Sequence, residues 1–180
     1  GDKIPDGWTG KKTSLPKADK RKCNKPEASV AHSGECAFMF RGNPGGTSSK
    51  LMQTISDVSA LVDGAAVQFS AYIDPRNSTP GTAFAKAKIS LSDGSKFTLK
   101  LSIPEADDYV QVTENTVLDL AGLTVTQVKV QFMGNQAKGK FLIDDASLSV
   151  TNPELPTAIP ENTDIPNTPT VTPTVTHTPT

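Results

Sequence analysis

The chain predicts an all-β fold: an antiparallel two-sheet sandwich (jelly roll) over residues 1–150, then an extended Thr/Pro-rich tail over residues 151–180. Three observations carry this. Apolar residues recur with period two in segment after segment, turn residues separate those segments, and the composition changes abruptly at Thr151.

The period is clearest in four places. Val67, Phe69, Ala71 and Ile73 alternate with Gln68, Ser70 and Tyr72. Ala85, Ala87, Ile89 and Leu91 alternate with Lys86, Lys88 and Ser90. Phe97, Leu99, Leu101 and Ile103 alternate with Thr98, Lys100 and Ser102, and Val128, Val130 and Phe132 with Lys129 and Gln131. One apolar and one wet face is the mark of a half-buried antiparallel strand. Shorter segments at 36–40, 50–55, 109–113 and 141–150 bring the expected number to about eight. Asp93-Gly94 reads as a hairpin loop, Asp63-Gly64 as a turn before a strand, and 75–81 as a loop. The weak helical candidate, 56–62, is too short to stand alone.

The segment 141–150 changes phase. Phe141 and Ile143 are odd, whereas Ala146, Leu148 and Val150 are even. One extra residue near Asp144-Asp145 restores the inward face, so a β-bulge is expected there. Two adjacent carboxylates at such a point must be solvated, paired or metal-bound.

Charge is unevenly spread. All 18 Lys and Arg precede residue 151, and the last 30 residues carry only Glu154, Glu161 and Asp164. A net charge of -1 gives no reason to expect nucleic acid as a partner. A local basic run (Lys11, Lys12, Lys17, Lys20, Arg21, Lys22, Lys25) reads as a solvated loop or as a patch for acidic polysaccharide. No apolar run approaches membrane-spanning length, and the polar start at Gly1 fits a mature exported chain after signal-peptide removal.

The tail holds ten Thr and seven Pro. Proline removes amide donors, so the tail reads as an extended linker or an O-glycosylated stalk. Thr168, Thr170, Thr172, Thr174, Thr176 and Thr178 are the expected acceptors. Both readings mark an extracellular or cell-surface protein. In that setting Cys23 and Cys36, the two cysteines of the chain, are expected to form a disulfide rather than remain thiols.

Ile4-Pro5-Asp6-Gly7-Trp8, then 31–38 (Ala-His-Ser-Gly-Glu-Cys-Ala-Phe), Leu51-Met52-Gln53 and 139–148 (Gly-Lys-Phe-Leu-Ile-Asp-Asp-Ala-Ser-Leu) follow one another in order. The set resembles the calcium-stabilised jelly-roll carbohydrate-binding modules and related galactose-binding-like domains. Its cysteine-bearing form resembles surface proteins of Chloroflexi-type bacteria. The resemblance implies that Trp8 packs structurally. It also implies a calcium ion held by Asp144 or Asp145 with the backbone at 33–35, where Glu35 is a further ligand candidate. The family's first strand, with its glutamate ligand, is expected to be missing here, since only Gly1, Asp2 and Lys3 precede Ile4. Such a gap leaves an open sheet edge.

Catalytic patterns are lacking. There is no Gly-x-Ser-x-Gly elbow, no His-Glu-x-x-His helix and no phosphate-binding glycine loop, and Glu105, Asp107 and Asp108 read as solvated loop charge. A non-catalytic protein is expected. Its leading reading is a structural subunit that polymerises with copies of itself by strand or tail exchange. The alternative is a carbohydrate-binding module for cell-surface or matrix polysaccharide. For that role the chain offers Tyr72 and Tyr109 as polar-facing rings.

Overall fold

A computed structural model describes residues 4–11, 19–41, 48–76, 78–134 and 140–153. They form ten strands and no helix: β1 (Thr9–Lys11), β2 (Lys20–Cys23), β3 (Cys36–Phe40), β4 (Ser49–Ile55), β5 (Ala66–Asp74), β6 (Ala83–Leu91), β7 (Lys96–Ser102), β8 (Val110–Val117), β9 (Val125–Gly134) and β10 (Phe141–Thr151). The strands make two five-stranded antiparallel sheets. Sheet I runs β1-β4-β9-β6-β7, and sheet II runs β2-β3-β10-β5-β8.

The alternation seen in the sequence decides which side of each strand is buried. Phe40, Phe69, Phe84, Phe132 and Phe141 are fully buried between the sheets, with Ile73, Ile89 and Val128 among them. Burying one such side chain contributes about 1.5–3 kcal/mol relative to exposure. The rings interlock: Phe40 stacks on Phe141 at 5.0 Å, and Phe84 meets Phe141 edge-on at 5.9 Å.

Two turns are built as their residues predict. Asp93 Oδ1 accepts from Ser95 N and Oγ while Gly94 takes φ +88°, closing the β6–β7 hairpin. Asp63 Oδ1 accepts from Leu120 N at 2.7 Å, tying the turn before β5 to the chain after β8.

The structure differs from expectation in the number of strands. The segment 56–62 is not helical, in keeping with its shortness. Asp57 Oδ1 accepts from Ser59 N and Oγ, and Leu61 donates to Val58 O. Short side-chain bonds of this kind compete with the helical ladder. The strand count is ten rather than eight, because β1 and β2 are short and polar and show no apolar alternation.

The bulge lies where the phase slip places it. Asp144 pairs with Tyr72 and Ser147 with Ser70, so β10 spends one more residue than β5 between these points. Asp145 takes φ +45°, a left-handed conformation that Asp tolerates better than most residues. Beside it, β3 pairs with β10 only over Phe141–Ile143. From Asp144 to Thr151, β10 has strand pairing on its β5 side alone among the described residues.

Candidate functional site

The outer face of sheet II carries a built site. It starts from the cysteines. Cys23 and Cys36 are paired residues of β2 and β3 and form a disulfide that closes the loop 24–35. Asn24 folds this loop back over the sheet. Its Oδ1 accepts from Val30 N at 2.7 Å and Ala31 N at 3.0 Å, and its Nδ2 donates to Gly34 O at 3.2 Å. Val30, Ala31 and Tyr109 thereby cover an apolar patch of Ala37, Met39 and Leu142 that points away from the main core.

The far end of the loop is clasped by the bulge. His32 N and Ser33 N donate to Asp144 Oδ2 at 2.9 and 3.3 Å. Ser33 Oγ donates to Asp145 Oδ1 at 2.6 Å, and His32 Nδ1 lies 2.7 Å from Asp145 Oδ2. The Ser33 hydroxyl, and after it the His32 ring, hold the Asp145 carboxyl below its ordinary value. The His32 ring lies on the ring of Tyr72. One face of Tyr72 is therefore covered, and His32 takes the place at the surface that the sequence suggested for Tyr72.

Tyr109 donates its hydroxyl to Val30 O at 2.8 Å. Burial, and then the charges of Asp144 and Asp74, push its phenol well above the ordinary value, so it stays a neutral donor. Asp74 is buried and accepts from Arg76 Nε at 2.8 Å. Arg76 adopts φ +47°, strained for a non-glycine residue.

Two cavities meet at Val30 and Arg76. One, about 400 Å³, is polar and is walled by Ser29, His32, Asp74, Asp108 and Tyr109. The other, about 240 Å³, sets Lys22, Arg41 and Lys140 around Met39 and Leu142. Arg41 Nε is buried with no hydrogen-bond partner among the described residues. Its backbone N–H donates to Asp19, whose carboxyl burial pushes up despite the opposing Ser49 hydrogen bond.

Trp8 lies elsewhere, half-buried with its ring 5.5 Å from that of Phe132, so it packs against the core. It separates two cavities of about 200 and 110 Å³ in the slot between the sheets beside the one-sided stretch of β10.

The calcium implied by the resemblance meets a poor fit. Calcium takes about six to eight oxygens. The turn faces Asp144 and Asp145 with N–H, O–H and imidazole groups rather than carbonyls. Glu35 is exposed. Among the described residues no three His, Cys, Asp or Glu converge. The tail threonines lie outside the described residues. No helix among the described residues is long and apolar enough to cross a membrane.

No family model matches this chain, and no curated protein matches it. Solved structures do. The structural neighbours include carbohydrate-binding modules. The CBM22-1 xylan-binding domain from Paenibacillus barcinonensis superposes with a TM-score of 0.54 at 13% identity, covering 83% of this chain and 88% of that one. Family 16 Carbohydrate Binding Module-2 gives 0.55 at 16%, covering 82% and 99%. A cyclase from Fischerella sp. TAU gives 0.60 at 11%, covering 84% and 87%. At these identities the likeness shows a shared β-sandwich and leaves ligand and activity to the residues themselves.

Proposed function

We propose that this chain is a non-catalytic, exported carbohydrate-binding module that takes glycan on the outer face of sheet II. The observation that carries the reading is the pair of cavities meeting at Arg76, roofed by a loop that a disulfide and the bulge hold in place. Sugar hydroxyls need fixed donors and acceptors around an apolar surface. Asp74, Asp108, Arg76 and His32 supply the first, and Tyr109 with the Val30 patch supplies the second. The carbohydrate-binding modules among the structural neighbours favour this reading over an assembly subunit. Affinity electrophoresis against soluble neutral polysaccharides tests it. At least one should retard the full chain, and Arg76→Ala should weaken that retardation tenfold or more. Retardation by none, or an Arg76→Ala variant that behaves as wild type, rules the reading out.

One observation supports a second reading, assembly between copies. The stretch of β10 from Asp144 to Thr151 with strand pairing on one side is a template for a further strand. The occupant proposed is the tail of a second copy, with Leu155, Ile159, Ile165, Val171 and Val175 as anchors and O-linked sugars on its threonines. Removing residues 152–180 should abolish self-association measured by sedimentation. Unchanged assembly of the shortened chain, or a monomeric full chain at high concentration, excludes it.

A further inference from the structure

Every charged side chain on the five strands of sheet I is a lysine. The strands carry Lys11, Lys50, Lys86, Lys88, Lys96, Lys100 and Lys129, and no Asp, Glu or Arg. The register puts all seven on one face. Lys11 pairs with Lys50, Lys86 with Lys100, and Lys88 with Lys129, while Lys96 pairs with Ser90, two residues on from Lys88. The opposite face of these strands is the core side, with Leu51, Ala87, Leu99 and Val130. No lysine of the set makes an ion pair among the described residues. Like charges directly across a ladder destabilise a sheet. Three such pairs in one sheet, with no compensating acid on any of its strands, oppose stability for the sake of something outside the fold.

We infer that the outer face of sheet I is a second binding surface that takes an acidic polysaccharide. The face is about 19 Å across, from four inter-strand spacings of about 4.8 Å. Lys86 and Lys88 stand on alternate residues of β6, Lys96 and Lys100 lie four apart on β7, and each of the other three strands adds one lysine, so positive charge is spread over all five strands. Between them stand Thr54, Ser90, Thr98, Gln127 and Gln131, which hydrogen-bond to hydroxyl groups. A nucleic-acid surface favours arginine and exposed aromatic rings for stacking, and this face has neither. A membrane surface favours large apolar side chains among the basic ones. The large exposed hydrophobics, Val62 and Val117, lie on other elements. The surface is separate from the cavities on sheet II, and it rests on the glycan reading only in preferring a polysaccharide to other polyanions.

The test uses the full chain with polygalacturonate, its fully methyl-esterified form, duplex DNA, and phosphatidylserine-containing vesicles. Polygalacturonate should bind at low salt and release near 1 M salt, where the screening length falls to about 3 Å. The esterified polymer should not bind this face. A Lys86→Gln/Lys88→Gln/Lys129→Gln variant should lose tenfold or more in affinity for polygalacturonate and keep any binding that depends on Arg76. Its melting temperature should equal or exceed that of the wild type, because repulsion is relieved. Should that variant fail to fold, Lys96→Gln/Lys100→Gln on the edge strand must show the same direction of loss. Absence of polygalacturonate binding, wild-type affinity in the folded lysine variant, or DNA or vesicles binding at least as tightly each overturns the inference. Polygalacturonate binding without any Arg76-dependent glycan binding leaves it standing and removes the sheet II reading.

Discussion

His32 lies flat on Tyr72, ring centroids 3.6 Å apart and planes 16° from parallel. The two residues are 40 positions apart in the chain. The stack joins the disulfide-closed loop to β5 and sets the height of the loop above the sheet. An aromatic pair of this kind adds about 0.5–1.5 kcal/mol beyond area burial. A double-mutant cycle of His32→Ala and Tyr72→Ala, read by urea denaturation, should show a coupling of about that size. Additive losses would mean that the stack holds nothing.

Asp145 gives the clasp a pH dependence. Its carboxyl is held below the ordinary value, so the folded state favours the ionised form. The stability it contributes is fully present above the unfolded value of about 3.9 and is lost as pH falls through the lowered folded value. Asp145→Asn keeps a residue that tolerates left-handed backbone and removes this slope. Its unfolding free energy, measured by denaturant melts from neutral pH into acid, should fall less steeply below about pH 4 than that of the wild type.

Calcium should be dispensable for folding. Asp144 and Asp145 already accept hydrogen bonds from the 32–33 turn. Melting curves in excess chelator and in millimolar calcium should therefore coincide. A higher melting temperature with calcium would show that the ion displaces the clasp.

The disulfide should support the site as well as the fold. Closing a loop of this length is worth about 3 kcal/mol in the chain-entropy picture. Cys23→Ser/Cys36→Ser should lower the melting temperature by about 6–12 °C, taking about 2–4 °C per kcal/mol for a chain of this size. Glycan binding on sheet II should fall too, since the loop 24–35 roofs that face. The intact mass of the unreduced wild type should be lighter than the reduced form by two hydrogens.

Gly134 ends β9 against a wall. A Cβ there would lie 2.5 Å from Ser49 Oγ and 2.6 Å from Phe40 Cδ1. Gly134→Ala should cost about 1–3 kcal/mol through overpacking. Adding Ser49→Gly and Phe40→Leu should recover part of it. A neutral single variant would show that this corner of the core yields freely.

The sheets were legible in the sequence because each strand carries its own signal. Val67 to Ile73 and Phe97 to Ile103 alternate within themselves, and the phase slip of β10 lies within ten residues. β2 was not legible: Lys20-Arg21-Lys22-Cys23 has no apolar rhythm, and its pairing with β3 rests on the neighbour. The site depended on distant contacts. Nothing local in Arg41, Arg76 or Lys140 marks them, because they meet only when β3, the loop after β5 and the start of β10 converge. His32 had a readable position beside the turn but no readable partner. The lysines of sheet I were visible strand by strand; that these five lysine-bearing strands share one sheet is a fact of topology.

The extra residue in β10 works as a frameshift corrector. Upstream of it, Phe141 and Ile143 point into the core; downstream, Leu148 and Val150 pack against it. Deleting Ala146 would give β10 and β5 equal numbers of residues between the Asp144–Tyr72 and Ser147–Ser70 pairs, so Leu148 would stay opposite Phe69 and inward. The bulge itself would vanish, and Asp145 would stand opposite Ala71 on the core side of the sheet. What such a deletion costs is therefore the hold on Ser33 and His32 and the burial of a carboxylate, while the downstream face keeps its parity.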